Sequence, residues 1–352
     1  MRALKPSADG LEAAVAAGVI DAGQAERLRA FLAARDAPPP AGALSLPDRE
    51  GVRFVRGFHD VFMSVGLVVL LAGLRLAMSA LLPPQALAAG IAAGAAVVWV
   101  LAEVFTRRQR LVLPSIVLAA ALSIYAAMAA SFAFDGRDFD DPLGTQAPWV
   151  IAAALAAAAA FRLRFRLPFS VLLIAACAIG LVLSLLGLHA EALLEQRWRE
   201  LLLVLGLLVF ATAMAYDLRD PERRTLAADN GFWLHLLAAP MIVHALLSFV
   251  VAEPANPTSS EAAAAVGILA ALALVALVVD RRALLMSGLI YFGAAIGALI
   301  TRAQFDSATI FALTLVILGG IVVALGAGWR PARRLALAPL PASLRAALPP
   351  SS

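Results

Sequence analysis

The sequence predicts an all-α fold: a polytopic transmembrane helical bundle of about ten spans, led by a short N-terminal cytoplasmic helical hairpin. Three observations carry that reading. Of 352 residues, 62% are hydrophobic, against roughly 45–50% in a soluble domain. Mean hydropathy is +0.89. Runs of about twenty nearly uncharged residues follow one another, each long enough to cross about 30 Å of hydrocarbon. Barrel strands would show as alternating segments of about ten residues, and the sequence has no such pattern.

Apolar runs between charged or Pro/Gly breaks fall at 59–82, 86–105, 111–132, 148–161, 167–188, 200–216, 230–251, 261–279, 283–301 and 307–328. The fourth, PWVIAAALAAAAAF, is the shortest and is rich in alanine. Cytoplasmic loops near span ends hold an excess of Lys and Arg. With both termini inside, most of the 28 basic residues fall inside, in the leader, TRRQR, RLRFR, DLRDPERRT, DRR and the tail. The acidic FDGRDFDD and neutral AEPANPTSS segments then fall outside. Arg56, Arg110, Arg166, Arg224 and Arg282 recur every 54 to 58 residues. That period fits a repeated two-helix unit, and it equally fits any helix pair with two short loops and topology-set arginines.

The expected domains are a cytoplasmic hairpin (1–35), a flexible linker (36–56), the transmembrane domain (57–329) and a basic cytoplasmic tail (330–352). In the hairpin, DGLEAAVAAGVIDAGQAERLRAFLAA over 9–34, Leu11, Val15 and Val19 follow one helical stripe. Gly18 is placed to end the first helix, and Asp21 with Gln24 has the spacing of a capping box for the second. Leu28, Phe31 and Leu32 line the second helix's apolar face. About thirty residues cannot bury enough surface to be stable alone, so the hairpin is expected to dock on the membrane domain, a second copy or a protein partner. The linker DAPPPAGALSLPDRE is a flexible tether, and the leucine-studded tail is expected on the inner membrane surface.

With GLEAAVAAGVIDAGQAERLRAFL standing ahead of many glycine- and alanine-rich spans, the chain resembles bacterial predicted integral membrane proteins of a family of unknown function that carries such a hairpin. The hairpin also resembles short helical interaction modules appended to other bacterial proteins. The resemblance is specific over about twenty-five residues. It implies a bacterial inner-membrane location and carries no catalytic residues with it.

Composition excludes several classes. The net charge of +4 is spread between spans and forms no basic face, so no nucleic-acid partner is expected. The one cysteine, Cys177, allows neither an intrachain disulfide nor a CxxC site. A polar leader of some sixty residues precedes the first apolar run, which argues against a cleavable signal peptide. No P-loop, GxGxxG with an acidic partner, GxSxG, HExxH or EF-hand loop occurs, and no cofactor or metal is expected. Asp138, Asp140 and Asp141 read as a solvated acidic loop.

The candidate polar site lies within FWLHLLAAPMIVHALL, residues 232–247. His235 and His244 are nine residues apart, about 14 Å along a helix and on opposite faces, so they cannot share one metal. Pro240 removes an amide from the ladder and is expected to kink the span, while Asp229 or Asn230 is placed to cap it. Arg75, in the outer third of the first span, either snorkels to headgroups or pairs with Asp306, Glu253 or an anionic ligand. His59 and Asp60 open that span as secondary candidates, and Asp306 is a third. Glu103 can bond Arg107 one turn on.

Two histidines around a kink are explained either by structural hydrogen bonding or by a polar cavity. The expected function is a non-enzymatic scaffold, assembly or sensor component. Its expected partners are the lipid bilayer and a protein engaged through residues 9–34. The alternative is a transporter or lipid flippase with a polar site around the seventh span, and the third reading is an intramembrane enzyme.

Overall fold

The computed structural model describes residues 11, 14–36, 58–133, 145–220, 223, 225–251, 258–281, 293 and 307–341. The chain divides into two compact units, Met1–Gly51 and Val52–Ser352. Among the described residues every regular element is a helix.

The first unit is the hairpin. Gly18, at φ 69°, ends its opening helix in a Schellman turn: its N–H donates to the Val15 carbonyl and that of Val19 to the Ala14 carbonyl, both at 3.0 Å. Only a residue without a Cβ takes this left-handed conformation cheaply. Helix α1 (Ala22–Asp36) starts from the expected capping box. Asp21 N–H donates to Gln24 Oε1 at 3.0 Å, and Gln24 N–H to Asp21 Oδ1 at 2.7 Å. Leu11 and Ala25 are buried, while Val19 remains 75% and Leu28 39% exposed.

The second unit holds α2 (Phe58–Leu81), α3 (Pro84–Ala102, continued by a π-helical turn over Glu103–Arg108), α4 (Val112–Ala133), α5 (Ala147–Phe165), α6 (Phe169–His189), α7 (Glu191–Arg219), α8 (Leu226–Val250), α9 (Ser259–Val279) and α10 (Ser307–Leu337). Eight of these, α2 to α9, are long and apolar enough to cross a membrane. The bent pair Ala312–Ile321 and Gly326–Leu337, turning by 58° within α10, would be a ninth. The apolar run at 283–301 lies outside the described residues.

Lipid as solvent explains what these helices bury. Helix α2 hides only the stripe Asp60, Ser64, Leu67 and Leu71, and exposes Val65, Val68, Val69 and Leu70. A soluble monomer does not leave so large an apolar face to water. Inside, one core joins α2 to α5 through Leu67, Ile91, Val98, Leu118 and Phe161. A second joins α7 and α8 through Val209, Ala213, Leu234 and Ala238. Small residues set the spacing there, as lipid-embedded helices require: a Cβ on Gly206 would lie 3.1 Å from Met241 Cβ.

Four expectations change at the helix ends. The fifth helix reaches Phe165, longer than its alanine run suggested. Helix α7 begins at Glu191, not near 200, with non-helical backbone at Arg197 marking where a polar lead-in joins the apolar span. Helix α8 starts at Leu226, capped by Thr225 rather than by Asp229 or Asn230, because the Thr225 hydroxyl accepts from Ala227 N–H at 3.2 Å. Helix α10 runs to Leu337, so the first part of the expected tail is helical, with Arg333 buried.

The spacing seen in the sequence acquires a structural counterpart. Among the described residues, the four non-glycine positions with left-handed backbone are Arg110, Arg166, Arg223 and Asp280, at φ 54–58°. They follow α3, α5, α7 and α9, spaced 56, 57 and 57 residues apart. Each of these helix pairs is therefore followed by one left-handed residue, although the hydrogen bonds around it differ from turn to turn.

Candidate functional site

Helices α7, α8 and α9 bring three buried ionisable groups together. Asp217 projects from the last turn of α7, His235 from the third turn of α8, and Arg281 is the second residue after α9. Local backbone aims Arg281. Asp280 takes the left-handed place usually filled by glycine, and the Arg281 N–H donates to the Ala276 carbonyl at 3.0 Å, closing a Schellman turn. Aspartate tolerates this conformation better than most residues. The guanidinium then turns back under the helix end.

The guanidinium meets Asp217 in a forked, bidentate pair. Arg281 Nε donates to Oδ2 at 3.1 Å, and Nη2 donates both to Oδ1 and, at 3.0 Å, to the Ala228 carbonyl. His235 Nε2 lies 3.0 Å from the same Oδ2. A carboxylate can only accept, so Nε2 carries a proton. The three side chains are 0% (His235), 4% (Asp217) and 2% (Arg281) exposed. The Phe210 ring closes the imidazole's flank at 5.2 Å. Gly231 makes room for the carboxylate, since a Cβ there would stand 2.5 Å from Asp217 Oδ1.

A second ionic layer surrounds Asp280. Trp329 Nε1 donates to its Oδ1 at 2.8 Å, and Arg223 and Arg333 lie 3.4 and 3.6 Å from its carboxylate. Arg223 also donates to the Val279 and Asp280 carbonyls, and Arg333 to that of Leu277. Guanidiniums thereby occupy the orphan carbonyls at the α9 C-terminus, where the helix dipole favours positive charge. Asp220 builds the α7–α8 turn, accepting from Thr225 N–H and Oγ1, each at 2.7 Å.

The sequence-derived candidates do not converge on one cavity. Of them, only His235 joins the network. His244 is exposed, its ring 5.7 Å from Trp198 near the opposite end of α7. Pro240 is exposed, and α8 runs through it without interruption. Arg75 lies over the Phe132 ring at 5.3 Å, on α2 and α4. His59 is exposed and Asp60 is buried. Asp306 and Glu253 lie outside the described residues. Glu103 does bond Arg107, at 3.3 Å, and more strongly bonds Arg164, at 2.7 and 3.0 Å.

Sequence reading missed Asp217 and Arg281, taking the first as loop and the second as a topology charge. An acid within AMAYDLRD, still in the helical register of the span, was the available signal. Among the described residues, no three His, Cys, Asp or Glu side chains are grouped to hold a metal. His235 Nδ1 and Asn230 Oδ1 are buried with no hydrogen-bond partner among those residues. The network orients the imidazole, whose ring is fully buried.

No protein-family model, curated protein or solved structure matches the chain.

Proposed function

We propose that this membrane protein is a non-enzymatic scaffold, assembly or sensor component of a bacterial inner membrane, with both termini cytoplasmic. One observation supports this reading above the others. The buried Asp217, His235 and Arg281 are spent on tying three helices together, where a transport path would keep such groups facing water. A buried ion pair adds little net stability compared with apolar packing, yet its geometry permits one arrangement only. A fixed body suits a platform.

The hairpin supplies the engaging surface in this reading. Val19 and Leu28 stay exposed on it, which is unfavourable for a free module and useful for one that docks on a protein partner. The transporter reading has less support, because it needs His235, His244 and Arg75 to share a wet cavity, and they are distributed over separate parts of the bundle.

A photocrosslinking residue placed at Val19 of the full chain in its native cells tests the proposal. Adducts with one protein, absent when the probe replaces the solvent-facing Glu26, are expected. Loss of that adduct's cellular phenotype on deleting residues 1–36 completes the case. No adduct and a deletion strain without phenotype would overturn it.

A further inference from the structure

The α3 and α5 ends repeat the ionic arrangement of the second half, in an open form. Glu103 lies 114 residues before Asp217, two helix pairs away, and bonds Arg164 at the end of α5 as Asp217 bonds Arg281 beyond α9. In the second half the buried Asp217 and Asp220 and the half-buried Asp280 stand against the buried Arg223, Arg281 and Arg333. Among the described residues, the ends of α3 and α5 hold more guanidiniums than carboxylates. These ends carry Arg107, Arg108, Arg110, Arg162, Arg164 and Arg166 in sequence, with Glu103 as their one carboxylate.

Arg164 and Arg107 consume that carboxylate. Among the described residues, Arg108, Arg110, Arg162 and Arg166 have no acidic partner, and Nη1 of Arg162 is buried without a hydrogen-bond acceptor. The two helix ends are held side by side by Trp99 on Phe165 at 5.4 Å. Between Arg162 and Arg164, Leu163 stands 82% exposed. The surface therefore offers the exposed guanidiniums of Arg108, Arg110 and Arg166 beside a bare apolar side chain, at the end of membrane-length helices.

We propose that this end of α3 and α5 binds the phosphate headgroup of an anionic phospholipid, with an acyl chain along Leu163. Guanidiniums pair with phosphate bidentately, and surplus charge at this depth meets the headgroup layer. The exposed guanidiniums of Arg166 and Arg110 receive the phosphate oxygens, and the half-buried Arg162 supplies flanking charge. The buried, balanced end of α7–α9 does not compete.

The test uses the full-length protein in detergent micelles with phosphatidylglycerol or phosphatidylcholine added at equal mole fraction. Bound lipids are counted by native mass spectrometry, and the thermal unfolding midpoint is followed in parallel. Phosphatidylglycerol is expected to bind preferentially and raise the midpoint. Arg110→Gln with Arg166→Gln is expected to weaken that binding on the order of tenfold, near the loss of two surface arginines. A control, Arg219→Gln with Arg330→Gln, removes exposed arginines elsewhere and keeps it. Native mass spectrometry reads the folded fraction, so a destabilised variant still reports. Equal binding of both lipids, an equal loss in the control, or full reproduction of the midpoint shift by inorganic phosphate would overturn the proposal.

Discussion

Asp217 and Arg281, 64 residues apart in sequence, meet through a bidentate ion pair between the last turn of α7 and the second residue beyond α9. Each is nearly excluded from solvent, and His235 of α8 shares the carboxylate. One contact thus sets the relative register of three helices whose apolar faces alone would allow sliding.

The cost of disturbing the pair should depend on which member is removed. Asp217→Ala strands a buried guanidinium and is expected to destabilise by about 3–5 kcal/mol. His235→Leu removes a single donor and leaves Arg281 on both carboxylate oxygens, so a loss of about 1–2 kcal/mol is expected. Thermal or denaturant unfolding of the purified protein in one detergent gives the order, and equal losses would contradict it.

Gly231 is required by space. Gly231→Ala would put a methyl group 2.5 Å from Asp217 Oδ1 and 3.3 Å from the Ala213 carbonyl, at a cost of about 1–3 kcal/mol. At Gly66 a Cβ meets nothing within 4 Å. Gly66→Ala is therefore expected to be neutral or stabilising by up to about 1 kcal/mol through helix propensity. The difference between the two midpoints is the measurement.

Tyr125 offers a milder test in the first half. Its hydroxyl donates to the Leu71 carbonyl at 2.6 Å, joining α4 to α2. Tyr125→Phe keeps the ring and is expected to cost about 0.5–1.5 kcal/mol, read from the same unfolding curves.

Local pattern carried much of the fold into the sequence. Gly18 and the Asp21–Gln24 pair are specified within a few residues, and their turns form as expected. Apolar runs located the spans because hydrocarbon imposes a length that composition reveals. The site was less legible. His235 drew notice because imidazole is costly in lipid, but its partners come from two other helices, and no spacing rule links Asp217 to Arg281. Arginine near a span end already had a topological explanation, which hid the buried role of Arg281. The α8 start shifted because Thr225 is held by Asp220, a contact across a turn rather than a helical pattern. His244 and Arg75 were grouped with His235 by estimated depth, and depth along a helix says nothing of which neighbour a side chain faces.

The most direct measurement is a double-mutant cycle on the ion pair, using Asp217→Asn and Arg281→Met in the full-length protein. Each single change leaves one buried charge without its counterpart, and each should cost about 3–5 kcal/mol. The double variant removes both charges, so it should recover most of that loss, with a coupling of at least about 1–3 kcal/mol. Additive losses would show that the two residues act independently and that the lock between α7, α8 and α9 does not exist.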